Sequence, residues 1–222
     1  MKNKPIYALA IIPLTFSSLF GSAGQAFVNP FTGNYLLASH EMSLNNRYAD
    51  SFVNDVMKSN ILLNIAYLSG KVTSSKDVQW GEVAKPTEFE FRLDPNKTFA
   101  YHEDVKNEYQ GKIEKTTNAH FNYADGFKTD GYLFGDGVCH LASLINWVAK
   151  DAGLQVEAPT NHDFANIPDV PKEYGVSIYK SPGRISANTL QNLYITNNRS
   201  KPITFKFAYQ NDKVKVSIIQ LN

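Results

Sequence analysis

Apolar positions along the chain alternate between helical and strand-like spacing, and this alternation defines the elements. From about Met42 to Leu68 they recur at three- and four-residue steps: Leu44, Tyr48, Phe52, Val56 and Leu63, with Val53 and Met57 alongside. That spacing predicts an amphipathic helix stopped near Gly70. Val78-Gln79-Trp80 then offers a short strand, and Phe89-Glu90-Phe91-Arg92-Leu93 alternates as a half-buried strand does. Asp94-Pro95-Asn96-Lys97 supplies a turn. Residues 103–130 are polar and aromatic without a dominant period and are expected to be loops, with room for one short strand. A second helix is expected from Val138 to Ala152, with Asp136 as its cap and Gly153 as its stop. After it come Leu154-Gln155-Val156 and a strand-rich tail: Gly175–Tyr179, Leu193–Thr196, Ile203–Ala208 and Val214–Ile219. Asn197–Ser200 and Gln210-Asn211-Asp212 form the turns between the last three. The expected fold class is α+β. One helix packs on a mostly antiparallel sheet, and an additional N-terminal helix accompanies it.

Composition narrows the picture. At 43% hydrophobic and 13% aromatic residues, the 222-residue chain can bury a core. The formal net charge of +1 leaves no basic excess to hold a polyanion, so no nucleic-acid partner is expected. Lys2 and Lys4, the apolar run from Ala8 to Phe20 and the small residues Gly21–Ala26 have the order of a secretory leader. Residues 1–26 are therefore expected to be a signal peptide or a single N-terminal membrane anchor. Residues 27–40, with Pro30, Gly33 and asparagines, are expected to be a linker, and residues 41–222 the domain. An extracytoplasmic location follows from this reading.

Export sharpens the interest of Cys139, which is the only cysteine and so cannot form an intramolecular disulfide. It falls in Gly135-Asp136-Gly137-Val138-Cys139-His140-Leu141-Ala142-Ser143, in the first turn of the second helix. Unpaired N–H groups and the helix dipole favour a thiolate there, which would lower the thiol pKa. Val138, Leu141, Ala142, Ile145, Val148 and Ala149 cluster on one helix face, while Cys139 shares another face with Ser143 and Asn146. The alternative is a small buried residue beneath a covering loop. His162 follows 23 residues later, just beyond the strand that begins at Leu154. A cysteine at a helix start and a histidine on a neighbouring strand make the arrangement of papain-like and transglutaminase-like thiol enzymes. Asp163, Asn166 and Asp169 compete to orient the imidazole, and Asp163 is the first choice. Gly135, Asp136, Gly137, His140 and Ser143 are the candidate binding positions. Cys139, His140 and His162 would suffice as a zinc set, but no His-x-x-x-His or Cys-x-x-Cys spacing supports one, so no metal or cofactor is expected. His40, His102 and His120 read as solvated. Tyr101, Tyr109, Phe121, Tyr123 and Tyr132 could stack on carbohydrate or peptide, or anchor loops.

The stretch Gly135–Ser143, then Ala152-Gly153-Leu154, Glu157 and His162, resembles the signature of the VanW-like family. Asn64–Val72, Pro86–Phe91, Asn192–Asn198 and Lys201-Pro202-Ile203 resemble further segments of it, in order, over roughly Arg47 to Asn222. His140 stands where the family has glutamine, Asp136 where it has glycine, Ala142 where it has its first serine, and Ala158 where it has arginine. The resemblance implies an exported bacterial envelope protein, of a type named from glycopeptide-resistance gene clusters. The expected partner is cell-wall peptidoglycan or an envelope peptide, bound without established catalysis. The alternative is a thiol-dependent acyl transferase, amidase or peptidase using Cys139 and His162.

Overall fold

The computed structural model describes residues 33–132 and 134–222. The expected leader or anchor over residues 1–26 lies outside them. The strands are β1 (Tyr35–Ser43), β2 (Thr87–Leu93), β3 (Thr98–Ala100), β4 (Ile113–Lys115), β5 (Gln155–Glu157), β6 (Tyr194–Thr196), β7 (Ile203–Gln210) and β8 (Lys213–Gln220). The helices are α1 (Ser51–Ser69), α2 (Trp80–Val83), α3 (Val138–Asp151) and α4 (Ile185–Asn188). Two four-stranded sheets result, in the orders β1-β8-β7-β2 and β4-β3-β6-β5. All pairings are antiparallel except β3 with β4. The fold is α+β, as the sequence predicts.

The long sheet is built from the tail. Asn211 and Asp212, at φ 51° and 56°, form the two-residue link between β7 and β8, the backbone that matches the right-handed twist of a hairpin. Ile203, Phe205 and Phe207 on β7, with Val214, Val216 and Ile218 on β8, are buried. Phe89 and Phe91 stack on their cross-strand partners Phe207 and Phe205, at 4.8 and 4.9 Å between ring centres. Such aromatic pairs add to the stability of burial alone.

The opposite edge corrects the linker expectation. Residues 35–40 belong to β1, which pairs with β8 along its length. The predicted first helix therefore loses its start to a strand and begins at Ser51. Asp50 caps it by accepting from the Val53 N–H at 3.1 Å. Tyr48 and Phe52, expected on its apolar face, are exposed, whereas Asn54, Asn60 and Asn64 are buried. Those asparagines bind other segments, so the polarity of α1 is partly inverted. The predicted strand at Val78-Gln79-Trp80 is absent, and the chain there turns into α2.

α3 spans its predicted range and all six residues of its apolar face are buried. It packs against β1, β8, β5 and α1. His40 on β1 stacks on Trp147 with ring centres 3.5 Å apart and bonds Asp151 at 2.6 Å, a contact that overturns its reading as a solvated residue. His102, also read as solvated, is buried and bonds the Gln191 carbonyl. Tyr101, Tyr109 and Phe121 are buried and unavailable for stacking, whereas Tyr123 and Tyr132 are 77% and 91% exposed.

Candidate functional site

The start of α3 is set by steric fit. Its N-cap is Gly137, at φ 93°, and not Asp136, and no side chain caps the helix. A Cβ on Gly137 would lie 2.7 Å from the Met57 carbonyl oxygen, so both the left-handed backbone and the close approach to α1 demand glycine. Asn60 of α1 fixes the approaching loop. Its amide donates to the carbonyls of Lys128 and Asp136 at 3.1 and 3.0 Å, and its oxygen accepts from the Lys128 N–H at 2.8 Å. Tyr101 closes the same junction, accepting from Asn64 at 2.6 Å and donating to the Val138 carbonyl at 3.2 Å.

The face of α3 that carries Cys139, Ser143 and Asn146 holds an extended segment of chain. Asn146 donates to the Tyr174 carbonyl at 2.8 Å, and Ser143 Oγ accepts from the Val176 N–H at 2.9 Å while donating to the Cys139 carbonyl. The Cys139 thiol donates to the Ile178 carbonyl at 3.5 Å, and its sulfur accepts from the Ile178 N–H at 3.3 Å. Three helix side chains thus clasp the chain at Tyr174, Val176 and Ile178, and residues 175–179, predicted as a strand, join neither sheet. The candidate binding residue Ser143 is wholly buried in this clasp and does not line the cleft.

Where the clasped segment leaves α3, a cleft of about 260 Å³ opens. Gly135, Asp136, Gly137, Cys139, His140 and His162, all singled out from the sequence, line it. His162 lies in the loop after β5, not on a strand, and a Cβ on Gly175 would lie 2.6 Å from its carbonyl oxygen. The clasped segment therefore sits directly against the histidine loop. The His162 and His140 rings meet edge to face at 6.1 Å, and Phe164 covers His162 at 4.0 Å.

No hydrogen bond joins Cys139 to His162. The thiol is engaged with Ile178, and His162 Nδ1 faces the Ala165 carbonyl at 3.2 Å. Asp163 is exposed and does not line the cleft, Asn166 lines it, and Asp169 pairs with an arginine. No carboxylate therefore orients the imidazole. The expectation of a lowered thiol pKa is also reversed. Burial raises Cys139 to about 11, with the Ile178 N–H opposing and Asp136 adding to the rise. Desolvation outweighs the helix dipole here.

Burial, then the neighbouring Asp130, raises Asp136 to about 6. Burial, then Arg47 and His162, drives His140 down to about 3, so its ring is neutral. Burial also lowers His162. Arg47, absent from the sequence-based candidates, is 2% exposed and pairs with Asp169 at 2.7 Å. A lone arginine in a polar turn carries no periodic signal, and only the fold reveals that it is buried. Tyr48, Phe134, Phe164 and Tyr179 form an exposed aromatic rim. Among the described residues, no group of three or more His, Cys, Asp or Glu side chains is placed to hold a metal ion.

Comparison with known proteins gives one match. The family described as VanW like protein matches residues 90–219, more than half of the chain and including Cys139, His140 and His162. No curated protein matches the chain, and neither does any solved structure. The family match spans the Gly135–Ser143 stretch and the segments after it that prompted the resemblance, and on it the chain belongs to the VanW-like family.

Proposed function

We propose that the chain is an exported protein of the bacterial envelope whose cleft binds peptidoglycan or a related cell-wall peptide. One observation carries this reading. Four exposed aromatic residues, Tyr48, Phe134, Phe164 and Tyr179, gather around a single cleft that Gly135, Gly137 and His162 also line. Apolar rings beside a few polar groups in a concave site are the usual lining of a ligand pocket. The order of charged, apolar and small residues over 1–26 supports export. The test is co-sedimentation of the full chain with purified peptidoglycan sacculi. Binding is expected, weakened at least several-fold by Phe164→Ala combined with Tyr179→Ala. A chain that stays in the supernatant at every protein concentration would overturn the proposal.

A second reading is thiol-dependent acyl transfer, favoured by Cys139 and His162 opening onto the same cleft. In this chemistry the sulfur attacks a peptide carbonyl and the thiol proton passes to His162. The leaving amine takes that proton, and water or an acceptor amine resolves the thioester. Because the resting thiol is protonated, the proton transfer would have to accompany ligand binding. Intact mass spectrometry after exposure to a cell-wall peptide decides it. An acyl adduct lost in Cys139→Ala supports turnover, and its absence over long incubation removes it.

A further inference from the structure

We infer that the polymer bound in the cleft continues into a second groove, where Tyr123 and Phe134 stack on the sugar rings of its glycan strand. This rests on the peptidoglycan reading and adds a saccharide subsite beside the one proposed for peptide. The groove has a volume of about 340 Å³ and lies between the start of α1, the start of α2 and the stretch from Tyr123 to Phe134. Phe52, Tyr123 and Phe134 line it at 61%, 77% and 47% exposure, with Trp80 beside them. Exposed rings gathered in one place mark a binding surface. The two sites are continuous. Phe134 lines both, and Tyr48 in the cleft and Phe52 in the groove stand on either side of the Asp50 cap of α1.

The lining selects the kind of ligand. Tyr123 and Phe134 meet at 6.0 Å with their planes 65° apart, so they form an angled corner and not a flat wall. The C–H face of a pyranose packs on such a ring, while its hydroxyl and acetamido groups need polar partners at the edge. Lys128 and Thr129 in the lining supply them. The Lys128 ammonium sits 4.0 Å over the Trp80 ring and 3.0 Å from the Ser59 hydroxyl, which holds it in place with N–H groups to spare. A peptide fits the groove less well, because extended peptides bind largely through main-chain hydrogen bonds. Here the main chain is committed. The N–H groups of Gly126, Phe127 and Lys128 go to Tyr123, Asn122 and Asn60, the Lys128 carbonyl accepts from Asn60 and Gly135, and Thr129 pairs with Phe134. An anionic membrane fits no better. Among the described residues lining the groove only Lys128 is charged, whereas such surfaces are held by clusters of roughly four to eight basic residues. A glycan strand offers apolar ring faces with neutral polar edges, and it is covalently joined to the peptide proposed for the neighbouring cleft.

The test is ligand-detected NMR on the full chain with tri-N-acetylchitotriose, which has the sugar rings and no peptide. Saturable binding is expected. It should weaken about fivefold or more in Tyr123→Ala combined with Phe52→Ala, and change by less than about twofold in Phe164→Ala combined with Tyr179→Ala. All four side chains are exposed, so the thermal melts should match that of the parent. Equal binding of the trimer by the parent and by the Tyr123, Phe52 variant overturns the inference. So does a failure to bind the trimer in a protein that still sediments with sacculi, which leaves the proposed function standing. A dimer that the same variant dissociates, with no effect of the trimer, also overturns it by giving the groove to a second copy. Groove-dependent binding of the trimer without sedimentation supports the saccharide subsite and overturns the peptidoglycan reading.

Discussion

Replacing Ser143 with alanine removes one oxygen and tests the clasp at its centre. Ser143 and Val176 are both fully buried, and the Val176 N–H has the Ser143 hydroxyl as its partner at 2.9 Å. Alanine leaves that N–H without an acceptor in an apolar setting, a loss of about 1–3 kcal/mol. Against this, alanine is the better helix former by up to about 0.5 kcal/mol. The net expectation is a destabilisation of about 0.5–2.5 kcal/mol, a sizeable share of the roughly 5–15 kcal/mol that holds a domain together. Urea unfolding at neutral pH should show a lower midpoint with an unchanged slope. Native-state hydrogen exchange should show Val176 and Ile178 opening together, ahead of the core of α3. A loss below about 0.5 kcal/mol, within the range of ordinary surface changes, with exchange at Val176 unaltered, would refute the claim that the side chains of α3 hold residues 174–178.

Three further outcomes follow from the site. His140, at about 3 in the fold, stays neutral while the unfolded chain takes up a proton. Stability should therefore fall as pH drops from about 6.5 toward 3, by up to about 1.4 kcal/mol per pH unit from this residue. His140→Gln should flatten that fall in urea titrations across pH, and parallel curves for the two proteins would contradict it. Alkylation of Cys139 should show a rate midpoint well above the ordinary thiol value, toward about 11, and a midpoint at or below that value would show the thiol to be less buried than described. Gly137→Ala should destabilise by about 1–3 kcal/mol from the left-handed backbone alone, with the 2.7 Å approach to Met57 adding to it. A melting temperature equal to that of the parent would contradict the packing of the loop on α1.

Elements that follow one simple rule were legible in the sequence. α3 has an unbroken apolar face and a glycine at each end, and β7 and β8 alternate cleanly around Asn211-Asp212. β1 was hidden because only Met42 of its nine residues is fully buried and the rest lie at intermediate or exposed positions without alternation. α1 misled at its start, because Tyr48 and Phe52 imitate an apolar face while the true inner face spends Asn54, Asn60 and Asn64 on other segments' polar groups. The site was half legible. Glycines and a lone cysteine drew notice to 135–143, and His162 to its loop. Arg47 and the clasped residues 175–179 were out of reach, because their roles depend on side-chain hydrogen bonds between segments distant in sequence. The unusual face shared by Cys139, Ser143 and Asn146 was visible, and the structure gives it meaning as a row of clasp bonds.

The pairing of β1 with β8 has a consequence for how the chain is made. Tyr35 lies opposite Gln220, so the first described strand waits for β8, about 180 residues on, before it has a partner. A contact that spans nearly the whole chain forms slowly. If the proposed export threads the chain N-terminus first, β1 crosses with its partner still unmade on the other side. β1 can then join the long sheet only once residues 213–220 have been made and have crossed, which would keep the chain loose enough to be transported.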